Sequence, residues 1–206
     1  MPSTNAPPPG ETQTFDALVL AGGRGERLGG RDKAALCVAG RPLLDRVLDA
    51  VTEARRVVVV GPVAVPDGVA QVFEDPPGGG PVAGIAAGVA HLAHRRDPAP
   101  WVCVLAVDQP DAAPALAPVL AALPTVGPAV DAVCHRDVEG HPQWLLAAYR
   151  TAVLQRALAA HGSGHGVPMR SLVRALRFFH VIAGTEHLGD VDTWADHARW
   201  ERRLGG

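Results

Sequence analysis

The sequence predicts an α/β fold, a single domain built on a mostly parallel sheet covered by helices on both faces. Three observations predict it. Segments with strand character alternate with segments of helical spacing along most of the 206 residues. The strand segments are apolar throughout rather than at every second position, as expected of strands buried on both faces. The length allows one well-buried core, and a composition 48% hydrophobic with a formal net charge of −2 is that of an ordinary globular chain.

The elements follow in order. Residues 1–14, MPSTNAPPPGETQT, are Pro-rich and polar and read as a disordered leader rather than a secretory signal, leaving 15–203 as the folded domain. Residues 15–20 form an apolar run ending before glycines, the pattern of a buried strand. Residues 42–54 place Leu43, Leu44, Val47, Leu48 and Val51 at helical spacing with Pro42 at the start. RVVVVG at 56–61 is a β-branched strand, and a shorter one at 69–73 runs into Glu74 and Asp75. PPGGGPVAG is a loop from which Pro81 opens a helix to residue 94. WVCVLAV at 101–107 is a strand stopped by Asp108, Gln109 and Pro110, and 113–123 is helical. Residues 130–134 and 144–149 read as strands paired antiparallel around HRDVEGHPQ. Helices at 151–160 and 168–176, a strand at 178–182 and a helix after Asp192 complete the chain.

Composition excludes several function classes. There is no basic excess to suggest a general nucleic-acid or membrane-surface binder, and no stretch approaches the ~20 apolar residues of a membrane span. Cys37, Cys103 and Cys134 lie far apart with no CxxC pair, which suits small buried thiols in a reducing cytoplasm.

In open α/β sheets, ligands bind outside the carboxyl ends of the strands. After the first strand comes AGGRGERLGGRDK, after the third Glu74-Asp75 and a second Gly-rich loop, after the fourth Asp108. An anion-binding loop, an acid beside glycines and a further carboxylate on one edge point to a nucleotide with a divalent metal. The first loop lacks the GK[ST] of a P-loop and misses G-x-G-x-x-G by one position, so neither a P-loop NTPase nor a dinucleotide oxidoreductase is supported. Gly22, Gly23, Gly25, Gly29 and Gly30 still allow backbone N–H groups to reach phosphate oxygens, with Arg27 and Lys33 supplying charge. A plain surface loop would account for the glycines alone. It would not account for Lys33, the sole lysine beside 18 arginines. An ammonium is a compact charge on a flexible stem, whereas a guanidinium is a broad planar fork. Asp108 alone could equally be a turn residue before Pro110.

Taken together, these residues resemble the molybdenum cofactor guanylyltransferases, within the nucleotidyltransferases of the sugar-nucleotide pyrophosphorylase fold. LAGGRGERLGGRDKAAL is similar to that family's signature loop, EDPPGGGPVAGIAAGV to its second nucleotide loop and AVDQP to its metal-binding segment. HPQWLLAAYR resembles the acceptor-side segment and DVDTWAD the closing motif, so the likeness runs in order from about residue 15 to 200. It implies a Rossmann-like three-layer α/β/α fold. It further implies GMP transfer from GTP to the terminal phosphate of molybdopterin with release of pyrophosphate, in the cytoplasm and dependent on Mg²⁺. Leu20, Ala21, Gly22, Gly23, Lys33, Asp75, Gly80 and Asp108 would bind the nucleotide. Asp108 and Asp192 would hold the metal, and Arg27, Lys33 and Asp108 would carry catalysis. The implied partners are GTP, molybdopterin and the molybdoenzymes or chaperones that receive the product, with no nucleic acid and no membrane.

His165, Arg170 and Arg174 could receive the pterin phosphate, although solvated surface positions explain them better. Two departures keep a second base open. Gly61-Pro62 stands where the guanylyltransferases often carry asparagine, and Asp190 and Asp192 stand where they often carry two asparagines. Aspartates there are common in cytidylyl- and other nucleotidyltransferases, while AGG in the first loop favours guanine. The alternatives are therefore a cytidylyltransferase for the same cofactor, a sugar-1-phosphate nucleotidyltransferase, or a regulatory module that binds nucleotide without turnover.

Overall fold

The computed structural model describes residues 13–206 apart from positions 24, 95, 96 and 183. The expected leader, residues 1–14, lies outside the described residues except for Gln13 and Thr14, which carry no regular structure.

Strand β1 (Phe15–Leu20) is followed by a two-residue ribbon, β2 (Cys37–Val38) and β3 (Arg41–Pro42), and by α1 (Leu43–Asp49). Then come β4 (Val57–Val60), β5 (Ala70–Val72), α2 (Pro81–Ala93), β6 (Trp101–Ala106) and α3 (Ala112–Ala122). The second half holds β7 (Ala132–Arg136), β8 (Pro142–Arg150), α4 (Thr151–Ala159), α5 (Met169–Val173), β9 (Phe178–Val181) and α6 (Trp194–Leu204).

Seven strands form one sheet in the order β5-β4-β1-β6-β8-β7-β9. All pairings are parallel except those of β8, which runs against both β6 and β7. The expected α/β class and mostly parallel sheet are therefore what the chain adopts.

The uniform apolarity of the strands has a direct cause. Ala17 and Val19 of β1 join Leu105, Leu44, Val47, Leu116 and Val119 in the core on the α1/α3 face. Leu18 and Leu20 join Val58, Val60, Ile85, Val89, Leu154 and Leu158 in the core on the other face. Alternate residues of one strand thus feed two cores, and neither set can be polar. Gly88 lets α2 lie directly on the sheet, since a β-carbon there would stand 2.8 Å from Leu18 Cδ2.

The charged exception in β1 is Asp16, which is fully buried. It accepts hydrogen bonds from Arg56 at 3.0 and 2.6 Å and from the Ala99 N–H at 3.2 Å. The opposite flank of the sheet is pinned by Asp131, which accepts from the Arg177 backbone N–H and guanidinium at 2.9, 2.9 and 3.2 Å. These bonds hold the Asp131 carboxyl below its ordinary range, the Arg177 side-chain hydrogen bond outweighing the upward push of burial.

Four sequence expectations need correction. The helix expected over 42–54 stops at Asp49, and 51–53 are turns. Val51 is nevertheless fully buried, so its apolar spacing mimics helix continuation. The helix expected over 168–176 is limited to Met169–Val173. The β2–β3 ribbon was not foreseen, because two-residue strands around Ala39 (φ 50°) and Gly40 (φ 73°) leave no periodicity to read. Cys103 and Cys134 are buried thiols as expected, but Cys37 is exposed on the ribbon. Burial pushes the Cys103 thiol far up and the Cys134 thiol up to about 12.

A third, smaller cluster matters for the site. Leu28, Val38, Leu43, Val191 and Trp200 are buried together, clamping α6 and the segment before it onto the ribbon and the first loop. No helix of the described residues is long and apolar enough to cross a membrane.

Candidate functional site

The chain leaves β1 toward β4 on one side of the sheet and later returns to β6 on the other. The loops after β1 and β6 therefore part at a topological switch point, where open α/β sheets bind ligands. The first loop is shaped by its own backbone. Gly25 takes a left-handed conformation (φ 54°), and its carbonyl accepts from the N–H groups of Leu28 and Gly30 at 2.8 and 3.0 Å. A β-carbon at Gly25 would sit 2.5 Å from the Arg31 carbonyl oxygen. Asp32 accepts the Ala34 N–H at 2.9 Å and closes the turn that aims Lys33 inward.

Lys33 is the centre of the site. Its Nζ donates to Asp108 Oδ2 at 2.9 Å and to Asp192 Oδ1 at 2.5 Å, with its side chain only 14% exposed. Asp108 follows β6 directly. Asp192 arrives from the far end of the chain because Val191 is fully buried and donates its N–H to the Asp108 carbonyl at 2.9 Å. One backbone bond thus sets two carboxylates, distant in sequence, on either side of one ammonium. Burial alone would depress the Lys33 pKa, but Asp108 and Asp192 together outweigh it and raise it. Asp190, on the other side of Val191, is pushed up by burial and by the like charges of Asp108 and Asp192. Arg27 lies at the rim, 3.8 Å from Asp192 and largely exposed.

Two cavities meet at Asp108. The first, about 390 Å³, has an apolar floor of Leu20, Val60, Val107 and Leu145 and a rim of Gly22, Gly23, Glu74 and Gly80. The second, about 550 Å³, is lined by Gln109, Asp137, Gln143, Trp144, Met169 and Asp190 beside Asp108. Gly80 (φ 85°) caps the N-terminus of α2 at the first cavity, where the helix dipole and free N–H groups favour an anion.

Most of the sequence-predicted residues converge here. Lys33, Asp108 and Asp192 are in contact, Arg27 lies at the rim, and Leu20, Gly22, Gly23 and Gly80 line the first cavity. The Leu20 carbonyl is already taken by the Val107 N–H at 3.0 Å, and the Ala21 N–H by the Val60 carbonyl at 2.8 Å. Gly61 presses against Ala21, since a β-carbon there would stand 2.7 Å from the Ala21 carbonyl carbon. This packing leaves Gly22 and Gly23 as the more accessible backbone of the loop.

Other expected residues fall elsewhere. Asp75 is exposed and outside the lining of both cavities; its neighbour Glu74 lines the first. His165 packs beside Gly79 at the second Gly-rich loop, and Arg170 and Arg174 are exposed and line neither cavity. Sequence reasoning did not single out Gln109, Asp137 or Trp144. Gln109 carried a signal in hindsight, because it follows the metal-type aspartate, and its buried Oε1 has no partner among the described residues.

Among the described residues, no three His, Cys, Asp or Glu side chains are grouped to cage a metal by themselves. The donor set nevertheless suits Mg²⁺. Asp108 and Asp192 are two hard oxygen ligands already flanking a cation, and Mg²⁺ is commonly held by one or two carboxylates with substrate phosphates and water.

Comparisons with known proteins bear on the family and the fold. A family model described as the MobA-like NTP transferase domain matches residues 17–181. A molybdenum cofactor guanylyltransferase of Rhodopseudomonas palustris (strain HaA2) is 36% identical over 100 residues, 46% of this chain and 47% of that protein. A probable molybdenum cofactor guanylyltransferase of Deinococcus radiodurans is 33% identical over 152 residues, 72% of this chain and 74% of that protein. Apart from the Deinococcus protein, the matches span about half the length of the curated relatives. Among solved structures, molybdopterin-guanine dinucleotide biosynthesis protein A from Archaeoglobus fulgidus superposes with a TM-score of 0.69 at 20% identity, covering 92% of this chain and 98% of that one. 2-C-methyl-D-erythritol 4-phosphate cytidylyltransferase from Thermus thermophilus superposes with a TM-score of 0.63 at 23% identity, covering 93% and 98%. At these identities the two structures speak for the fold alone.

Proposed function

The chain belongs to the MobA-like NTP transferase family, whose model matches residues 17–181, and on that premise we propose that it is a molybdenum cofactor guanylyltransferase with a nucleotidyltransferase domain over 15–203. GTP occupies the first cavity and molybdopterin the second. An oxygen of the acceptor's terminal phosphate attacks the α-phosphorus of GTP. The bond from that phosphorus to the bridging oxygen of the β-phosphate breaks, and pyrophosphate leaves. The attacking phosphate is already ionised at neutral pH, so no general base is needed.

The single observation that carries this reading is the position of Asp108, which lines both cavities and accepts a hydrogen bond from Lys33. Catalysis here consists of positioning two anions and neutralising charge between them. Lys33 and Arg27 stabilise charge on the departing pyrophosphate. The backbone of Gly22 and Gly23 and the α2 N-terminus at Gly80 receive phosphate oxygens. Asp108 and Asp192 would hold Mg²⁺, which when bound supplies Lewis-acid neutralisation of the phosphoryl oxygens. Eventual recipients of the product are molybdoenzymes or their chaperones, and the two buried thiols suit a reducing cytoplasm.

The test uses α-labelled GTP, molybdopterin and Mg²⁺. Transfer of label to the pterin with stoichiometric pyrophosphate is the expected result, and binding without transfer would leave only a regulatory module. Asp190 and Asp192 favour a second reading, cytidylyl transfer to the same cofactor. A higher kcat/KM for CTP than for GTP would establish it.

A further inference from the structure

The first cavity contains one carboxylate that the proposed chemistry does not use. Glu74 follows β5 and reaches across the cavity rim between the two Gly-rich loops. Its Oε2 accepts the Gly79 N–H at 3.0 Å, which fixes the plane of the group. Its Oε1 lies over Gly22, 3.6 Å from where a β-carbon would stand, and has no hydrogen-bond partner among the described residues. The cavity floor beside it is apolar, formed by Leu20, Val60 and Leu145. A flat ring set on that floor would present its polar edge to Glu74.

We propose that Glu74 reads the base of the nucleotide and selects guanine, an inference that rests on the guanylyltransferase reading above. An ionised carboxylate only accepts hydrogen bonds. Guanine is the one standard base with two adjacent donors on its edge, the N1–H and the 2-amino group, and both fit one carboxylate. Adenine and cytosine each place a ring lone pair beside their single amino group, which sets an acceptor against an acceptor. Uracil offers one N–H flanked by two carbonyl oxygens, which face the carboxylate with like charge. Desolvated acceptors left unpaired or opposed discriminate far more strongly than shape. Asp75 is exposed to solvent and lines neither cavity.

The test measures nucleotide binding by calorimetry on the full chain with Mg²⁺ and without acceptor, using GTP, ITP, XTP, ATP and CTP. ITP lacks the 2-amino group, and XTP carries a carbonyl oxygen in its place. Wild type is expected to bind GTP tightest and ITP about 10-fold more weakly, the loss of one charge-assisted hydrogen bond. Glu74→Gln keeps an oxygen for the Gly79 N–H and so preserves the loop, but it turns an amide N–H₂ toward the base. Its GTP affinity should fall about 100-fold and its XTP affinity should rise above that for GTP. Glu74→Asp, which keeps the charge but withdraws it, should weaken GTP without gaining XTP. A wild type that prefers GTP, with Glu74→Gln unchanged toward GTP and XTP, would overturn the Glu74 assignment alone. A wild type that prefers CTP would overturn the guanine reading and this inference together.

Discussion

Replacing Lys33 by methionine keeps the apolar stem but removes the ammonium that separates Asp108 from Asp192. The Asp108 contact is 2.9 Å with the carboxylate side chain 21% exposed, so it counts as a partly buried charged hydrogen bond, worth about 1.5–3 kcal/mol. The Asp192 side chain is 40% exposed, so its contact is discounted to the surface range of about 0–1 kcal/mol. Asp190 adds a third carboxyl beside them, and the exposed Arg27, 3.8 Å from Asp192, would be left as the nearest cation. The expected loss is about 2–4 kcal/mol, which for a chain of this size lowers Tm by roughly 5–15 °C. Melting followed by circular dichroism in EDTA measures it. Mg²⁺ should then restore more Tm to the variant than to wild type, because in wild type the ion must displace the ammonium. Turnover should fall by about 10²-fold or more at saturating Mg²⁺, since the charge on the departing pyrophosphate loses a partner. Lys33→Arg should recover little of it, because a planar fork does not fit a pocket that leaves the lysine 14% exposed. A methionine variant that melts with wild type in EDTA and gains no more from Mg²⁺ would refute the central role assigned to this contact. An arginine variant with wild-type turnover would refute the case built on the lone lysine.

Three further outcomes are expected. Asp108→Asn should shift the Mg²⁺ dependence of turnover to higher concentration while the fold survives; superimposable Mg²⁺ titrations would reduce Asp108 to a turn residue. Asp16→Ala should destabilise the chain by about 2–4 kcal/mol in denaturant unfolding, because it leaves the buried Ala99 N–H without its acceptor and the partly exposed Arg56 guanidinium with only the Leu92 carbonyl. Asp131 has a folded pKa below its unfolded value of about 3.9, so its contribution is complete above that pH and is lost as the pH falls through the folded value. The Tm advantage of wild type over Asp131→Asn should therefore shrink between about pH 5 and pH 2, and a gap that stays constant would show that the ion pair with Arg177 is not its source.

The central strands were legible because β1, β4 and β6 are apolar at nearly every position, Asp16 excepted, and a two-sided core requires that. The position of Asp108 was legible for a related reason: it follows a buried strand directly, so its place at the carboxyl edge of the sheet comes with the topology. Boundaries were harder wherever burial and helix part company. Val51 is as buried as a helical core residue but sits in a turn, and spacing alone cannot separate the two. The choice between Glu74 and Asp75 was not legible. Past the end of a strand the backbone has no period, and which of two neighbouring acids faces inward depends on where the Gly79 N–H stands. Nor could spacing show that Lys33 rests on two carboxylates, since the second is brought in by a hydrogen bond between the Val191 N–H and the Asp108 carbonyl across the whole fold.

The reversal of β8 divides the cleft into two kinds of wall. On the β1 side, the parallel strands end at the site and hand it over to loops. On the far side, the antiparallel β8 begins there, so Gln143, Trp144 and Leu145 reach the second cavity from the first residues of a strand that meets β7 at Pro142 and β6 from Leu146 onward. A loop can take an inserted residue and keep its ends. A central strand cannot, because one extra residue turns every following side chain to the opposite face. On the proposed assignment of the cavities, the nucleotide side can therefore change by lengthening or trimming loops, while the acceptor side changes one side chain at a time.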